Sequence, residues 1–532
     1  MSLSGRVVLF SLFVLRIVLC LLPQHGYIQP DEFFQFTEPA AERTLQCRTY
    51  LPWELTRAQP IRSMFFPVII AQTVFQLTKI IVSEPSAYIL LVGPRLVITL
   101  LSFICDWSLH AMLRILGRRE RQALFSKLSL ASSYVFLTYM THTFSNSIET
   151  ILFSLLLVNV MKFLQSPSNK SSDLTGALLA LGFFNRPTFL GFAAVPILWA
   201  VTGGSISSFS VTRVVRVTVC LSRSFILVAV AMVIWDTNYY TDLLVDFWNI
   251  PGTDYWDKLV ICPINFIAYN SQTSNLAQHG LHPRYLHLLN LFLLLGVLAF
   301  PFYHVSLSVI LSALKSLSVP AGSSKQQEMW LTFTAILSLS LLMIFPHQEP
   351  RFLIPVTVIA CTLVGDRLSR KRFLIPWLVF NICFTMMYGF VHQAGVTRSL
   401  FAFNQMIQTK EIDVSNASII FSSMYLPPQH LMNAPRDLAL HDLSIADYPE
   451  SLMDQLEVAR QTTGTIFLAA PSCLGEGIKT ITSQLKFPDM QLYRQFFPHF
   501  SHEVFVHSWN TLMTSGNVTE AFSLNIWKID SS

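Results

Sequence analysis

Two neighbouring carboxylates, Asp31 and Glu32, follow Pro30 just after the first long apolar stretch of the chain, Val7 to Leu22. Acids beside a membrane surface are unfavourable without compensating contacts, so their presence there points to chemistry. A carboxylate in that position can act as a general base, accepting the proton of a hydroxyl as it attacks an electrophile. Pro30 restricts the backbone immediately before it and helps fix the direction of approach. Glu32 could share the task, support Asp31, or hold a metal with it. Prolines and acids also populate the first turn of ordinary helices, and local spacing taken alone favours that plainer role.

A second polar island, His347-Gln348-Glu349-Pro350-Arg351, interrupts apolar sequence more than three hundred residues later. Arg351 could bind a phosphate through paired hydrogen bonds, and His347 could do so when protonated. Glu349 could orient either one, although an interfacial ion pair marking a helix end fits equally well. A third island, Thr141-His142-Thr143-Phe144-Ser145-Asn146-Ser147-Ile148-Glu149, sits at the turn between two apolar runs. Asn146 and Glu149 could bind sugar hydroxyls, while Ser145 or Asn146 could simply cap the next helix. The fourth island, Phe183-Phe184-Asn185-Arg186-Pro187-Thr188, adds a further cation. Such islands in an otherwise apolar chain suggest one active site at one membrane face.

The elements that position these groups follow from composition. Only 13% of the 532 residues are charged and 52% are hydrophobic, against roughly a quarter charged in soluble domains. That excludes an ordinary multidomain soluble protein and indicates a polytopic helical membrane protein. The net charge of +5 does not indicate nucleic acid, because the basic residues form short clusters between apolar runs and act as topology signals. Eight cysteines without metal spacing or a CxxC pair signal no zinc or redox site. Apolar windows near 7–22, 88–113, 122–141, 148–164, 217–235, 285–312, 328–346, 352–366 and 373–391 are long enough to span. The stretch 174–203 is broken at Asn185-Arg186-Pro187 into two short helices, and 64–83, with Pro67 and Lys79, reads as lying along the surface.

Basic clusters in alternate connections then give about eleven spans with the N-terminus cytosolic and the C-terminus lumenal. The start of the chain reads as an uncleaved first span, since no small-x-small cleavage site follows it. The expected organisation is a transmembrane module over 1–392 with lumenal loops 23–87 and 236–283, followed by a lumenal C-terminal domain over 393–532. All four islands fall on the lumenal side. Sequons at Asn416 and Asn517 also fall there, where glycosylation is possible, whereas the one at Asn169 falls on the cytosolic side.

Taken in order, Gln29-Pro30-Asp31-Glu32-Phe33-Phe34-Gln35, His142 to Glu149, Phe183 to Thr188 and His347-Gln348-Glu349-Pro350-Arg351-Phe352-Leu353-Ile354-Pro355 resemble the signatures of glycosyltransferase family 22. These are membrane mannosyltransferases of the GT-C fold in the endoplasmic reticulum. Gly93-Pro94-Arg95, Pro263-Ile264-Asn265-Phe266 and Asn275-Leu276-Ala277-Gln278-His279-Gly280 are most similar to the branch acting on GPI anchors. The resemblance runs from the first span into the tail. It implies transfer of mannose from dolichyl phosphate mannose to the third mannose of a GPI precursor, forming an α-1,2 linkage with inversion. It implies Asp31 as base, with Glu32 beside it, and Arg351 and His347 as phosphate contacts. Glu349, His142, Asn146, Glu149 and Arg186 complete the donor or sugar contacts. No cofactor or bound metal is expected. Two positions depart from the family pattern: Gln29 stands where His is usual, and His142 where Arg is frequent, so any cationic role at 142 depends on protonation.

Other readings of the same residues remain at this point. A transferase for another GPI mannose or for lipid-linked N-glycan precursors would carry similar islands. Broken helices and intramembrane charges such as Arg16, Arg95 and Asp106 also suit a transporter or lipid scaffold, although no paired halves are visible. A non-catalytic subunit of a lumenal complex is a third possibility.

Overall fold

The structure, a computed structural model, describes residues 3–203, 210–241, 258–277, 280–314, 323–444 and 448–530. Parts of the expected loop 236–283, including Gln278 and His279 of the last motif, lie outside the described residues, as do residues 315–322. Among the described residues, seven helices are long and apolar enough to cross a membrane: Leu3–Leu21, Ala87–Ile115, Ser145–Gln165, Val211–Thr241, Leu286–Ala313, Pro350–Ser369 and Lys371–Val391. Phe65–Ile81 and Phe189–Thr202 are apolar but shorter. The chain is a multi-pass helical membrane protein, and the count of about eleven spans is not confirmed by these helices.

The chain forms two compact units that interleave in sequence: residues 1–18, 52–66 and 98–382 make one, and residues 19–51, 67–97 and 383–532 the other. In the first unit Ser145–Gln165 is the central helix, with 83% of its apolar window buried, whereas Val211–Thr241 has 17% buried and presents most of its surface outward. One buried ion pair lies near the start of this unit. Arg16 donates to Asp106 at 2.6 Å and to Ser102 at 3.0 Å, and its guanidinium faces the rings of Phe103 and Phe136. Such pairing replaces the water that a low-dielectric interior withholds.

The break expected at Asn185-Arg186-Pro187 is present, between Asn169–Asn185 and Phe189–Thr202. The continuous span expected over 122–141 is not. The helix Glu120–Ala131 stops, and short turns Tyr134–Leu137 and Tyr139–Thr141 follow. Ser132 and Ser133 compete with the helical ladder: Ser133 Oγ accepts from Val135 N, and Ser132 Oγ accepts from Trp377 Nε1 at 3.0 Å. Asn381 Oδ1 accepts the Tyr134 amide at 2.6 Å, satisfying a donor that the broken helix releases. The break re-aims the chain into the turn that carries His142.

The second unit holds a feature the apolar pattern does not signal, a five-stranded sheet in the C-terminal region. Its strands are β1 Ala417–Ser422, β2 Ala439–Leu443, β3 Thr465–Pro471, β4 Met490–Phe496 and β5 Leu524–Asp530. They lie in the order β2-β1-β3-β5-β4. The first three are parallel, while β5 runs antiparallel to both β3 and β4. β1 and β3 are buried apolar runs, as expected for parallel strands covered on both faces. Helices Glu450–Thr462 and Gly475–Gln484 pack Leu456 and Ile478 against Ile466, Leu468 and Trp527.

One close approach governs packing in the first unit. A Cβ placed on Gly176 would sit 2.2 Å from the Leu221 carbonyl oxygen, so Asn169–Asn185 and Val211–Thr241 touch backbone to backbone there. Gly176→Ala is expected to lower stability by about 1–3 kcal/mol, as overpacking does. A drop in the thermal midpoint of the purified protein in nanodiscs checks this; an unchanged midpoint would show that the two helices can part.

Candidate active site

Asp31 and Glu32 open a helix in the second unit that starts directly after Pro30. The Phe33 and Phe34 amides both donate to the Pro30 carbonyl, at 3.0 and 3.1 Å, closing the first turn. A π-helical turn, Phe33–Thr37, follows and passes into the α-helix Glu38–Thr44. π-turns persist where a local rearrangement is stabilised by its surroundings, frequently at functional sites. Here every residue of the turn is buried, and Tyr27 packs edge-on to Phe33.

The two carboxylates differ in kind. Glu32 is fully buried and accepts from Arg95 Nε at 2.7 Å. Arg95, buried on the long helix Ala87–Ile115, also donates to the Gln24 carbonyl at 2.6 Å and faces the Phe33 ring. Asp31, one residue earlier, is only partly buried. The pair thus divides: Glu32 is committed to Arg95, and Asp31 stands at the accessible side of the same turn. A third acid, Glu38, fastens the far end of the π-turn. Its Oε1 accepts from both the backbone amide and Nδ1 of His430 at 2.9 Å, and its Oε2 accepts from the Tyr50 amide at 2.9 Å. Nothing local in the sequence signals that Glu38 and His430 meet.

The remaining islands lie in the first unit, and the structure draws three of them together. Glu149 accepts from Thr188 Oγ1 at 2.8 Å and from Asn146 Nδ2 at 3.4 Å, and its other ion-pair partner, Arg186 Nε, is 3.4 Å away. Arg186 also donates to Ser145 Oγ at 3.0 Å. The broken helix at Arg186-Pro187 therefore closes onto the start of Ser145–Gln165. His142 is fully buried, and its Nδ1 lies 2.7 Å from the Thr138 carbonyl. A carbonyl only accepts, so Nδ1 carries the proton and the ring is fixed in orientation.

At the fourth cluster, Glu349 receives both partners that the sequence places beside it. His347 Nε2 is 2.9 Å from Oε1, Arg351 Nη2 donates to Oε1 at 3.0 Å, and Arg351 Nε donates to Oε2. Burial alone would raise the Glu349 carboxyl, but the Arg351 charge and the His347 contact outweigh it and hold it well below the usual range. Burial would lower His347, yet its hydrogen bond to Glu349 and that group's charge win, leaving it above its ordinary 6.5. The cluster consequently is neutral overall while His347 is unprotonated and carries one net positive charge once His347 protonates.

Phe352 links these groups, a role its place beside Arg351 could have suggested. The guanidiniums of Arg186 and Arg351 lie 5.2 and 5.6 Å from its ring centroid, and the His347 ring is 5.7 Å away. Gln348, buried within the motif, was assigned no role from sequence. Its Oε1 accepts the His287 amide at 2.8 Å, while its Nε2 donates to the Arg284 carbonyl at 3.0 Å and the Phe345 carbonyl at 3.2 Å. It therefore clamps the 284–287 strap to the end of the preceding helix. His282, whose ring lies 6.0 Å from His347, is held at the same place. Both sequon asparagines are exposed. Asn517 caps the short helix after it, and Asn416 Oδ1 accepts the Gly464 amide at 2.7 Å.

The Glu32–Arg95 pair gives a stability test. Arg95→Ala leaves a buried carboxylate without its cation and is expected to destabilise the protein by about 3–5 kcal/mol. Asp31→Asn, which keeps the side chain's shape at the more accessible position, should cost less than Arg95→Ala. Thermal unfolding of both variants in nanodiscs distinguishes the two carboxylates; equal losses would contradict the division.

A family profile described as the Alg9-like mannosyltransferase family matches residues 7–431. The human protein named GPI alpha-1,2-mannosyltransferase 4 is 34% identical over 467 residues, spanning 82% of this chain and 77% of its own. GPI mannosyltransferase 4 of Aspergillus oryzae is 33% identical over 86% of each chain. The Saccharomyces cerevisiae protein of that name is 32% identical over 74% of this chain and 71% of its own. Among solved structures, ArnT from Cupriavidus metallidurans in the apo state aligns over 100% of this chain and 99% of its own. The TM-score is 0.50 at 12% identity, a likeness of fold.

Proposed function

The chain belongs to the Alg9-like mannosyltransferase family and has the GT-C fold of membrane glycosyltransferases, and we propose that it is the GPI mannosyltransferase that adds a fourth mannose. The donor is dolichyl phosphate mannose, the acceptor is the third mannose of a GPI-anchor precursor, and the product linkage is α-1,2. The reaction takes place at the lumenal face of the endoplasmic reticulum membrane, with the N-terminus cytosolic. The similarity to proteins named GPI mannosyltransferase 4 over most of the chain is the observation that carries this reading.

A β-linked donor and an α-linked product require one inverting displacement. The acceptor hydroxyl oxygen bonds to mannose C1 as the bond from C1 to the phosphate oxygen breaks, and dolichyl phosphate leaves with the electron pair. The acceptor proton passes to Asp31 as general base. Asp31 is assigned this role rather than Glu32 because the Arg95 ion pair already occupies Glu32. Arg351 and His347 receive the phosphate, which gains a second negative charge as the bond to C1 breaks, and Glu349 aligns both. Arg186, Asn146 and Glu149 form a hydrogen-bonding group suited to sugar hydroxyls, with His142 beside them in sequence.

Mass spectrometry of GPI precursors tests both parts in cells lacking the protein and complemented with wild type or Asp31→Ala. Restoration of a four-mannose glycan by wild type alone is expected. Restoration by both would remove Asp31 as base, and by neither would redirect the search to lipid-linked N-glycan acceptors. The phosphate assignment has its own readout. His347 holds its proton above pH 6.5, so its cationic contact is complete below that value and fades as pH rises through the raised pKa. The KM for the donor is therefore expected to climb with pH above neutrality in wild type and to follow a flatter course in His347→Gln. Parallel profiles for the two proteins would exclude the contact.

A further inference from the structure

The helix Phe505–Ser515 contains no Asp, Glu, Lys or Arg, and His507, exposed on its polar side, is its one ionisable side chain. Phe505, Trp509 and Met513 recur at helical spacing and, with Val506 beside them, form an apolar stripe about 100° wide. All four are exposed, at 42%, 48%, 69% and 68% respectively. The opposite face is occupied within its own unit: Val504 and Ser508 are buried, and Ser508 Oγ contacts Cys473 Sγ at 3.5 Å. Exposed Asn510 and Thr514 border the stripe on its other side. A helix without Asp, Glu, Lys or Arg, with one packed face and one bare aromatic face, is an unusual surface for water.

Its place in the fold identifies what covers that face. The membrane-spanning helix Lys371–Val391 ends in Tyr388, Phe390 and Val391 before the chain turns polar at His392 and Gln393. At that exit the Phe500 amide donates to the Val391 carbonyl at 3.0 Å, and the Gln393 amide donates to the Phe500 carbonyl at 2.9 Å. Gln393 Nε2 further donates to Ser501 Oγ at 3.0 Å and Glu503 Oε2 at 2.9 Å, and Arg398 Nη1 donates to the Phe497 carbonyl. The segment leading into the helix is thus stitched to the end of a span. From Phe500 the chain can carry Phe505 no more than roughly 17 Å, so the helix starts close to the end of that span. The stripe thus begins within five residues of a segment hydrogen-bonded to the end of a span.

We propose that Phe505–Ser515 is an interfacial helix whose Phe505–Val506–Trp509–Met513 face inserts into the headgroup and acyl boundary of the bilayer. Aromatic and long apolar side chains on one face suit that boundary. Such an anchor would tie the sheet-bearing region to the membrane surface at a second point beyond the span itself. The inference rests on the membrane fold and not on the acceptor sugar.

The test uses the full chain in nanodiscs, with Cys383→Ser removing the exposed native thiol. An environment-sensitive fluorophore is attached through Met513→Cys or, on the polar side, Thr514→Cys. The Met513→Cys probe is expected to be quenched at least about threefold more by doxyl-labelled phospholipid than the Thr514→Cys probe, with aqueous iodide giving the reverse order. Iodide-accessible probes at both positions, with no lipid quenching at 513, would overturn the proposal and leave a soluble protein partner as the occupant. Unsubstituted protein gives an independent reading through a diazirine-bearing phospholipid. Cross-links to the 505–515 peptide as well as to 371–391 support insertion, and cross-links to 371–391 alone refute it.

Discussion

Three buried arginines of the described residues are each held against an opposite charge from a distant part of the sequence, and these pairings register the elements within each unit. Arg16 meets Asp106, Arg186 meets Glu149, and Arg95 meets Glu32. In a low-dielectric interior such a pair contributes little net stability, because desolvation consumes most of the attraction. Leaving one member alone is far more costly, so each pair excludes arrangements in which its partners separate. The pairs therefore act as registration points. They determine which helix ends meet, and the accessible chemistry is distributed around them.

The polar islands were legible because charged and hydrogen-bonding residues stand out against apolar runs, and three of them do converge around Phe352. The division of labour between Asp31 and Glu32 was not legible. Adjacent carboxylates look alike in a sequence, and only the guanidinium of Arg95, arriving from another helix, separates them. Gln348 escaped notice for a similar reason: its hydrogen bonds run to backbone groups, which carry no sequence signature. The break after Ala131 was hidden because hydropathy averages over Ser132 and Ser133. The partner that makes the break tolerable, Asn381, lies on a different helix. The sheet was obscured because its buried parallel strands are short apolar runs that periodicity cannot tell from helix.

The two halves of the proposed site are built on different kinds of support. Asp31 sits on a turn whose neighbours are locked by Tyr27, Arg95 and Glu38. The cationic cluster is instead preorganised by one acid, since Glu349 holds both His347 and Arg351 in place before any anion arrives. A donor set already arranged need not reorganise as charge develops on a leaving group, which is how fixed dipoles and cations lower a barrier.

The π-helical turn Phe33–Thr37 also carries a consequence for how this segment tolerates changes in length. It is bounded by Glu32, tied to Arg95, and by Glu38, tied to His430 and Tyr50. A π-turn accommodates one residue more than the α-helical ladder does, and each α-helical residue turns the chain by about 100°. Removing that one residue would let the chain close as ordinary α-helix with Glu32 and Glu38 still near their present phase. Adding a residue instead would swing one carboxylate by about 100° from its partner. The segment between the anchors therefore tolerates shortening by one residue better than lengthening by one.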